Sequence, residues 1–404
     1  MNKKTGFFFV FFVLFSFKTF ALTDKIYKEL DTFTQIIQIV DEQYVESIDE
    51  KKLIQGAIRG MLETLDPHTI YMAPDMYKEF KSDTSGQFGG VGIEITVKDQ
   101  MLTVVSPIED TPAFNSGIKA GDRIVKIDGS STKEMTLIEA VHKMRGPKGK
   151  KVVLTIWHEG LAKPVDIAIT RDIIKVESVK YEKLGDGLVF VRIISFQENT
   201  SEHLKKFLKQ TQDEYGNPLK GIILDLRNNP GGLLTEAIKV SDLFLANGPI
   251  VSTKGRDQKT QVNDAKANSV FETVPLVVLV NQGSASASEI VAGAMQDTKR
   301  AKVLGTTSFG KGSVQTILEM GDKAGLKITI AKYYTPKGRC IDGKGIFPDI
   351  VIGPIQYKKD YPKAKVDEIS NEESDESAPA TKGKPPTLQE YQKQKAIEIF
   401  KKSL

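Results

Sequence analysis

Gly283-Ser284-Ala285-Ser286-Ala287-Ser288-Glu289 follows directly on Val274-Pro-Leu-Val-Val-Leu-Val280, a run apolar enough for a strand buried on both faces. Segments leaving the ends of such strands concentrate active-site residues, which makes Ser286 a candidate nucleophile. The same residues also fit a helix start, with Ser286 as N-cap and Glu289 three positions on in a capping-box pattern. The two readings are compatible, because amides at a helix N-terminus stabilise developing negative charge. A second segment, Asp225-Leu-Arg-Asn-Asn-Pro-Gly-Gly232, ends a short strand and turns into a helix. It reads as a tight turn that needs glycine, or as exposed amides suited to an oxyanion. Spacing alone does not separate the two. A third segment, Gly305-Thr-Thr-Ser-Phe-Gly-Lys-Gly-Ser313, nearly matches the phosphate-cradling GxxxxGK[ST] loop. However, Gly312 replaces the metal-binding hydroxyl, Val314-Gln-Thr-Ile-Leu318 reads as strand, and the acid-ended strand Ile222-Ile-Leu-Asp225 precedes the loop. A nucleotide site is not expected.

A serine nucleophile needs a base, and histidine is scarce. The chain has four His, and none follows His203. Lysine is then the first alternative, and Lys311 lies on a glycine-flanked loop after another strand-like run. An ordinary lysine, with a pKa of about 10.4, is almost fully protonated at neutral pH. Burial lowers that value by penalising the ammonium. Gln315 is four residues on, an even spacing that puts both side chains on one face of an extended strand. A neutral amide there can orient the lysine without holding it protonated.

Several elements must position these residues. Over residues 22–82, Ile26, Leu30, Phe33, Ile36, Ile37 and Val40 recur at helical spacing, and a second such run ends near Asp66-Pro67. Over 84–172, short strands, glycine turns and one short helix (Thr136 to Met144) predict a small, partly open β-barrel. From 173 to 355, strand-like runs at 187–193, 221–224, 274–280, 301–304 and 327–331 alternate with helices. That alternation predicts a largely parallel sheet covered by helices. Residues 359–385 are poor in apolar side chains and read as a disordered linker. An amphipathic helix from Leu388 to Phe400 follows, suited to docking elsewhere on the protein or on a partner chain.

Composition narrows the partners. One cysteine excludes intrachain disulfides and cysteine clusters, and the scattered histidines form no HExxH pair, so no metal or other cofactor is expected. A net charge of +4 on 404 residues provides no nucleic-acid footprint. Eight of the 20 phenylalanines fall between Phe7 and Phe20, after Lys3-Lys4 and before Thr19-Phe20-Ala21. This reads as a secretory signal at residues 1–21. The expected location is therefore the periplasm, with anchoring in the inner membrane if the segment stays uncleaved.

Together these residues resemble the C-terminal processing peptidase (tail-specific protease) family over about residues 25–355. The resemblance is carried by six motifs in order: Leu65-Asp-Pro-His68, Phe88-Gly-Gly-Val-Gly-Ile93, Asp225 to Gly232, Gly283 to Glu289, Phe309-Gly-Lys-Gly312 with Gln315, and Gly343-Lys-Gly-Ile-Phe-Pro-Asp349. It implies Ser286 as nucleophile, Lys311 as general base and Gln315 as its orienting partner. It also implies an oxyanion hole from the Ala287 amide and one amide of Gly231-Gly232. The family inserts a PDZ domain, in which Gly90-Val91-Gly92-Ile93 would capture a C-terminal carboxylate. Arg145, after the PDZ helix, reads first as solvated surface and second as a residue that couples peptide binding to the core. The expected fold is multi-domain α/β: a helical region at 22–83, a PDZ domain at 84–172, a peptidase core at 173–358, and a linker with a C-terminal helix at 359–404. The expected function is an exported serine endopeptidase acting on protein and peptide substrates with exposed C-termini. The rival is an inactive PDZ scaffold or chaperone for envelope proteins. Amphipathic helices at both ends suit a homodimer.

Overall fold

The computed structural model describes residues 24–362 and 385–403, apart from 99, 109, 120, 134, 136, 159–162, 217 and 267–269. The expected signal segment and most of the expected linker lie outside the described residues. The chain divides at Leu65 into two compact units. In the first, helices α1 (Asp24–Gln43) and α2 (Glu50–Glu63) realise the two apolar periodicities. The Asp49 carboxylate caps α2 by accepting from Lys52 N at 3.1 Å. No residue of α1 is buried, and Phe33, Ile36, Ile37 and Val40 line an apolar groove with Leu53, Gly56 and Ala57.

The second unit begins with β1 (Ile70–Met72), α3 (Pro74–Ser85) and β2 (Gln87–Gly90). A small barrel-like sheet follows: β3 (Ile93–Lys98), β4 (Met101–Pro107), α4 (Pro112–Asn115), β5 (Arg123–Ile127), β6 (Ser130–Ser131), α5 (Leu137–Met144), β7 (Lys151–Trp157) and β8 (Val165–Thr170). The strands run in the order β3-β4-β5-β7-β8, with β6 against β5, so β3 is an edge. The core of this sheet is aliphatic, with Val104, Ile124, Ile127, Val152 and Leu154 each at most 1% exposed. That burial is the source of its stability. The next strand, β9 (Asp172–Lys175), returns to pair with β2.

The remaining elements are β10 (Val179–Gly185), β11 (Leu188–Ile193), α6 (Thr200–Tyr215), β12 (Gly221–Asp225), α7 (Leu234–Asp242), β13 (Pro249–Gly255), β14 (Thr260–Asp264), β15 (Leu276–Val280), α8 (Ala287–Asp297), β16 (Lys302–Gly305), β17 (Ser313–Glu319), β18 (Gly325–Tyr334), β19 (Ile350–Val351), α9 (Pro354–Asp360) and α10 (Leu388–Ser403). A six-stranded sheet runs β10-β11-β12-β15-β16-β19, with only the β10–β11 pair antiparallel. This is the expected largely parallel sheet, and its central strands β12 and β15 are buried at every position. One face packs on α6, α7 and α8. The other face is covered by α9 and α10, through Tyr357, Leu388, Tyr391, Ala396 and Phe400. Gly221 is glycine because a β-carbon there would lie within about 2 Å of the Phe400 ring.

One strand is placed differently from expectation. The run at 327–331 belongs to a second, antiparallel sheet, β1-β18-β13-β14 with β17 also on β18. Its positions run from buried Gly325 through four half-buried residues to exposed Ile330 and Lys332 rather than staying buried throughout, as suits a sheet with one open face.

Candidate active site

Parallel pairing of β12 with β15 and of β15 with β16 brings the ends of three strands side by side. The loops after Asp225, Val280 and Gly305 therefore converge, although they are far apart in sequence. Ser286 occupies the N-cap of α8 with φ 55° and ψ −111°, a conformation costly for a residue with a β-carbon. The serine thus sits at the point where the helix dipole is positive.

Glu289 holds this turn. It is fully buried, and four donors converge on its carboxylate. Oε2 accepts from Ser286 N at 2.8 Å and from Lys311 N at 2.9 Å. Oε1 accepts from Ser308 Oγ at 2.6 Å and from Gly310 N at 2.7 Å. One oxygen thus fixes the backbone of Ser286 against the backbone of Lys311. The capping-box pattern reveals only the first of these bonds.

The Lys311 ammonium is half-buried, and burial lowers its pKa, followed by repulsion from Lys327. Lys327, on β18, is itself held below the usual lysine range by burial. Asp66 and Glu289 act in the opposite direction on Lys311. His68 is lowered by burial and then by the charge of Lys311. No hydrogen bond joins Lys311 Nζ to Ser286 or to Gln315 among the described residues. Gln315 Nε2 instead donates to Ser313 Oγ at 2.8 Å and to Thr329 Oγ1 at 3.3 Å. The Thr329 hydroxyl in turn donates to Asp66, which ties this strand to the Asp66-Pro-His-Thr69 turn. A β-bulge between Val314 and Gln315 interrupts the simple alternation expected from 311 to 315.

The loop after β12 is pinned by Asn229, which is fully buried. Its carbonyl accepts from Ala285 N at 3.0 Å and from Ser288 Oγ at 2.9 Å. Its side chain donates to Ile193 O and accepts from Gly231 N at 2.9 Å. Gly231, at φ 105°, passes so close that a β-carbon would lie 2.8 Å from Ser286 Cβ and 3.0 Å from Ala287 N. The Gly231 amide is engaged by Asn229, whereas the Gly232 and Ala287 amides find no acceptor among the described residues. Upstream, Arg227 grips Asp225 with two bonds of 2.7 and 2.6 Å, and its other nitrogen donates to Gln389 O and Gln392 Oε1 of α10.

The Gly90-Val91-Gly92-Ile93 turn lies at the start of the edge strand β3. Gly92 has φ 81°, and a β-carbon there would strike Thr111 at 2.4 Å. The carbonyl groups of Val91 and Gly92 turn inward and accept from Ala113 N and Ile108 N. Neither the Val91 nor the Gly92 amide has an acceptor among the described residues. Arg145 is not simply solvated: it pairs with Glu79 at 2.8 Å and Asp83 at 3.1 Å on α3, and lies over the Phe88 ring.

The chain is a serine-type peptidase, a hydrolase, as its matches to known proteins show. Residues 187–352 match the family model Peptidase family S41, residues 80–157 match the PDZ domain, and residues 17–76 match the Activating protease CtpB N-terminal domain. The chain is 51% identical over 337 residues to the carboxy-terminal-processing protease of Bartonella bacilliformis, a match covering 82% of this chain and 77% of that one. It is 38% identical over 333 residues to carboxy-terminal processing protease CtpA of Bacillus subtilis, covering 82% and 70%. A putative S41 protease structure from Bacteroides fragilis shares the fold, with a TM-score of 0.52 at 13% identity over 90% of this chain and 97% of that one. The chain belongs to the C-terminal processing peptidase family.

Sequence reasoning did not single out Asn229, Lys327 or Tyr333. Asn229 stands inside the Asp225 to Gly232 motif, and a side-chain amide two residues before a glycine was the available signal. Lys327 and Tyr333 carry no local signal, because they act across a strand pairing.

Proposed function

We propose that this protease is an exported endopeptidase that captures the C-terminal tail of a protein substrate and cuts it with a Ser286–Lys311 dyad. The observation that carries this reading is the shared bond of Ser286 N and Lys311 N to one carboxylate oxygen. In this mechanism Ser286 Oγ attacks the scissile carbonyl as neutral Lys311 takes its proton; the C–N bond then breaks as Lys311 returns that proton to the leaving amine, and water, deprotonated by Lys311 in turn, hydrolyses the acyl-enzyme. The Ala287 and Gly232 amides receive the oxyanion, while Asn229 and Gly231 hold that turn in place. Gln315 keeps its Oε1 available to orient Lys311. The tail's carboxylate meets the amides at 91 and 92, and its backbone adds beside the open edge of β3. In this reading the chain comprises an export signal (1–21), a helical region (22–83), the PDZ domain (84–172), the peptidase core (173–358) and a C-terminal segment (359–404).

Mass analysis of a peptide pair tests the capture step. An unstructured peptide with a free, apolar C-terminus is cut faster than the same peptide carrying a C-terminal amide. Equal rates for the two would rule out carboxylate capture.

The pH profile tests the base. Lys311 acts when neutral, so kcat/KM rises as pH climbs through its folded pKa. Replacing Lys327 by Met removes a neighbouring positive charge and moves that rise to higher pH, lowering activity at neutral pH several-fold. Lys327→Arg keeps the charge and holds the rise near its original position. An unmoved profile in Lys327→Met would show that this charge has no part in setting the base.

The apolar stripe of α1, with Leu30 46% and Ile36 53% exposed, supports a homodimer through the helical unit. Sedimentation of the mature protein then gives a dimer that Ile36→Asp converts to monomer; a wild-type monomer at micromolar concentration contradicts it.

A further inference from the structure

Tyr333 of β18 is 2% exposed and belongs to the main apolar core of the peptidase unit. A phenylalanine would fill the same space without burying a hydroxyl, which costs free energy unless that hydroxyl is bonded. Here the hydroxyl points at two main-chain carbonyls, Ser286 O at 3.1 Å and Lys311 O at closer range. Both belong to the residues assigned as nucleophile and base. Tyr333 N also donates to Gly312 O at 2.9 Å, so the strand follows the Lys311 loop on two atoms. Burial, then the nearby Glu289 carboxylate, raises the phenol well above its usual pKa, so it remains a donor. We infer that Tyr333 is a positioning residue, whose hydroxyl sets the spacing of Ser286 and Lys311 from the carbonyl side.

The inference rests on the dyad reading and completes its geometry. Glu289 joins the two residues through their N–H groups, and Tyr333 joins them through their C=O groups. The two carbonyls differ in how they are otherwise held. Ser286 O also accepts from Glu289 N at 2.9 Å and Ile290 N at 3.1 Å. Lys311 O has no other donor among the described residues. Loss of the hydroxyl therefore releases the base and leaves the nucleophile in place. A released Lys311 gains access to water and moves relative to the groups that face it: Lys327 on β18, His68 and Asp66 on the turn before β1, and Glu289 on α8. Regained hydration favours its ammonium form.

Tyr333→Phe in the full chain tests this, with Ser286→Ala as the blank. Active sites are counted by titration with a fluorophosphonate, and kcat, KM and the pH profile are measured per titrated site. The expected result is a kcat about ten- to a hundredfold lower, the scale of a misplaced catalytic group, with KM within about twofold. The ascending limb of the kcat profile shifts to higher pH. A wild-type kcat per titrated site with an unmoved limb overturns the inference. So does a loss that only follows the folded fraction measured by thermal melting, since a purely structural tyrosine would leave the pH limb where it was. Cleavage by Ser286→Ala at the wild-type rate overturns the nucleophile assignment instead, independently of the Tyr333→Phe result.

Discussion

Ser286→Ala lowers kcat/KM by at least about 10⁴-fold, the scale of losing a nucleophile that works as a unit with its base. It does so while leaving the fold intact. Alanine keeps the β-carbon, so the φ of 55° is no more costly than before. Glu289 N already bonds the Ser286 carbonyl at 2.9 Å, and the Ser286 amide keeps its bond to the Glu289 carboxylate. The cost of losing a cap side chain is therefore at most about 1 kcal/mol. Paired thermal melts and product masses from one preparation check both halves of this expectation. Cleavage within tenfold of wild type would remove Ser286 from the mechanism. An acyl-enzyme trapped on wild type and absent from the variant locates the covalent step.

Glu289→Gln has the second largest effect, and here fold and activity fall together. Four donors converge on two carboxylate oxygens. An amide supplies only one oxygen, so whichever way it turns, two donors face an NH2 group. A buried donor left without an acceptor costs about 1–3 kcal/mol; the Ser308 hydroxyl can accept from the new NH2 group, so one or two orphaned N–H groups predict a loss of roughly 1–6 kcal/mol. With the amide oxygen toward Ser308 and Gly310, the amides of Ser286 and Lys311 lose their common anchor. With it toward Ser286 and Lys311, the Ser308–Gly310 loop is released instead, and Lys311 moves with it. Either way the nucleophile and base separate, and kcat/KM drops on the order of 10²-fold in the molecules that remain folded. Glu289→Asp shortens the side chain and keeps both oxygens, so it recovers part of the stability and little of the rate. Denaturant melts alongside titrated-site kinetics separate the two losses. Wild-type kinetics in a folded Glu289→Gln would show that the shared oxygen has no part in catalysis.

How far the site was legible depended on the reach of each contact. The segments around Ser286, Lys311 and Gly231 were readable because each follows a strand-like run, and such runs in an alternating α/β pattern end on one edge of a sheet. The role of Glu289 was readable by half: its bond to Ser286 N is a three-residue contact, but its bonds to Ser308, Gly310 and Lys311 cross to another loop. The bulge at Val314–Gln315 was not readable, since it depends on pairing with β18 rather than on spacing. Asn229 lay in plain view inside a motif, but its bonds reach Ile193, Ala285 and Ser288 as well as Leu226 and Gly231, and only the last two are local.

The sequence by itself pointed to the kind of chemistry proposed for this chain. The absence of histidine after His203 pointed to a glycine-flanked lysine at a strand end, where lysine can be desolvated, while the fold brings His68 from outside that region to face it. It also determined the succession of units, because helical and strand periodicities change at recognisable places along the chain. The tertiary structure alone decided how the catalytic residues are held and tuned. Lys327 and Tyr333 reach the site from a strand of a second sheet, and Gln389 and Gln392 reach Arg227 from a helix about 160 residues later, a distance in sequence that is spanned only when packing closes it. Such contacts leave no periodic trace, since a single buried side chain satisfied by a distant partner looks locally like any other residue of its strand or helix.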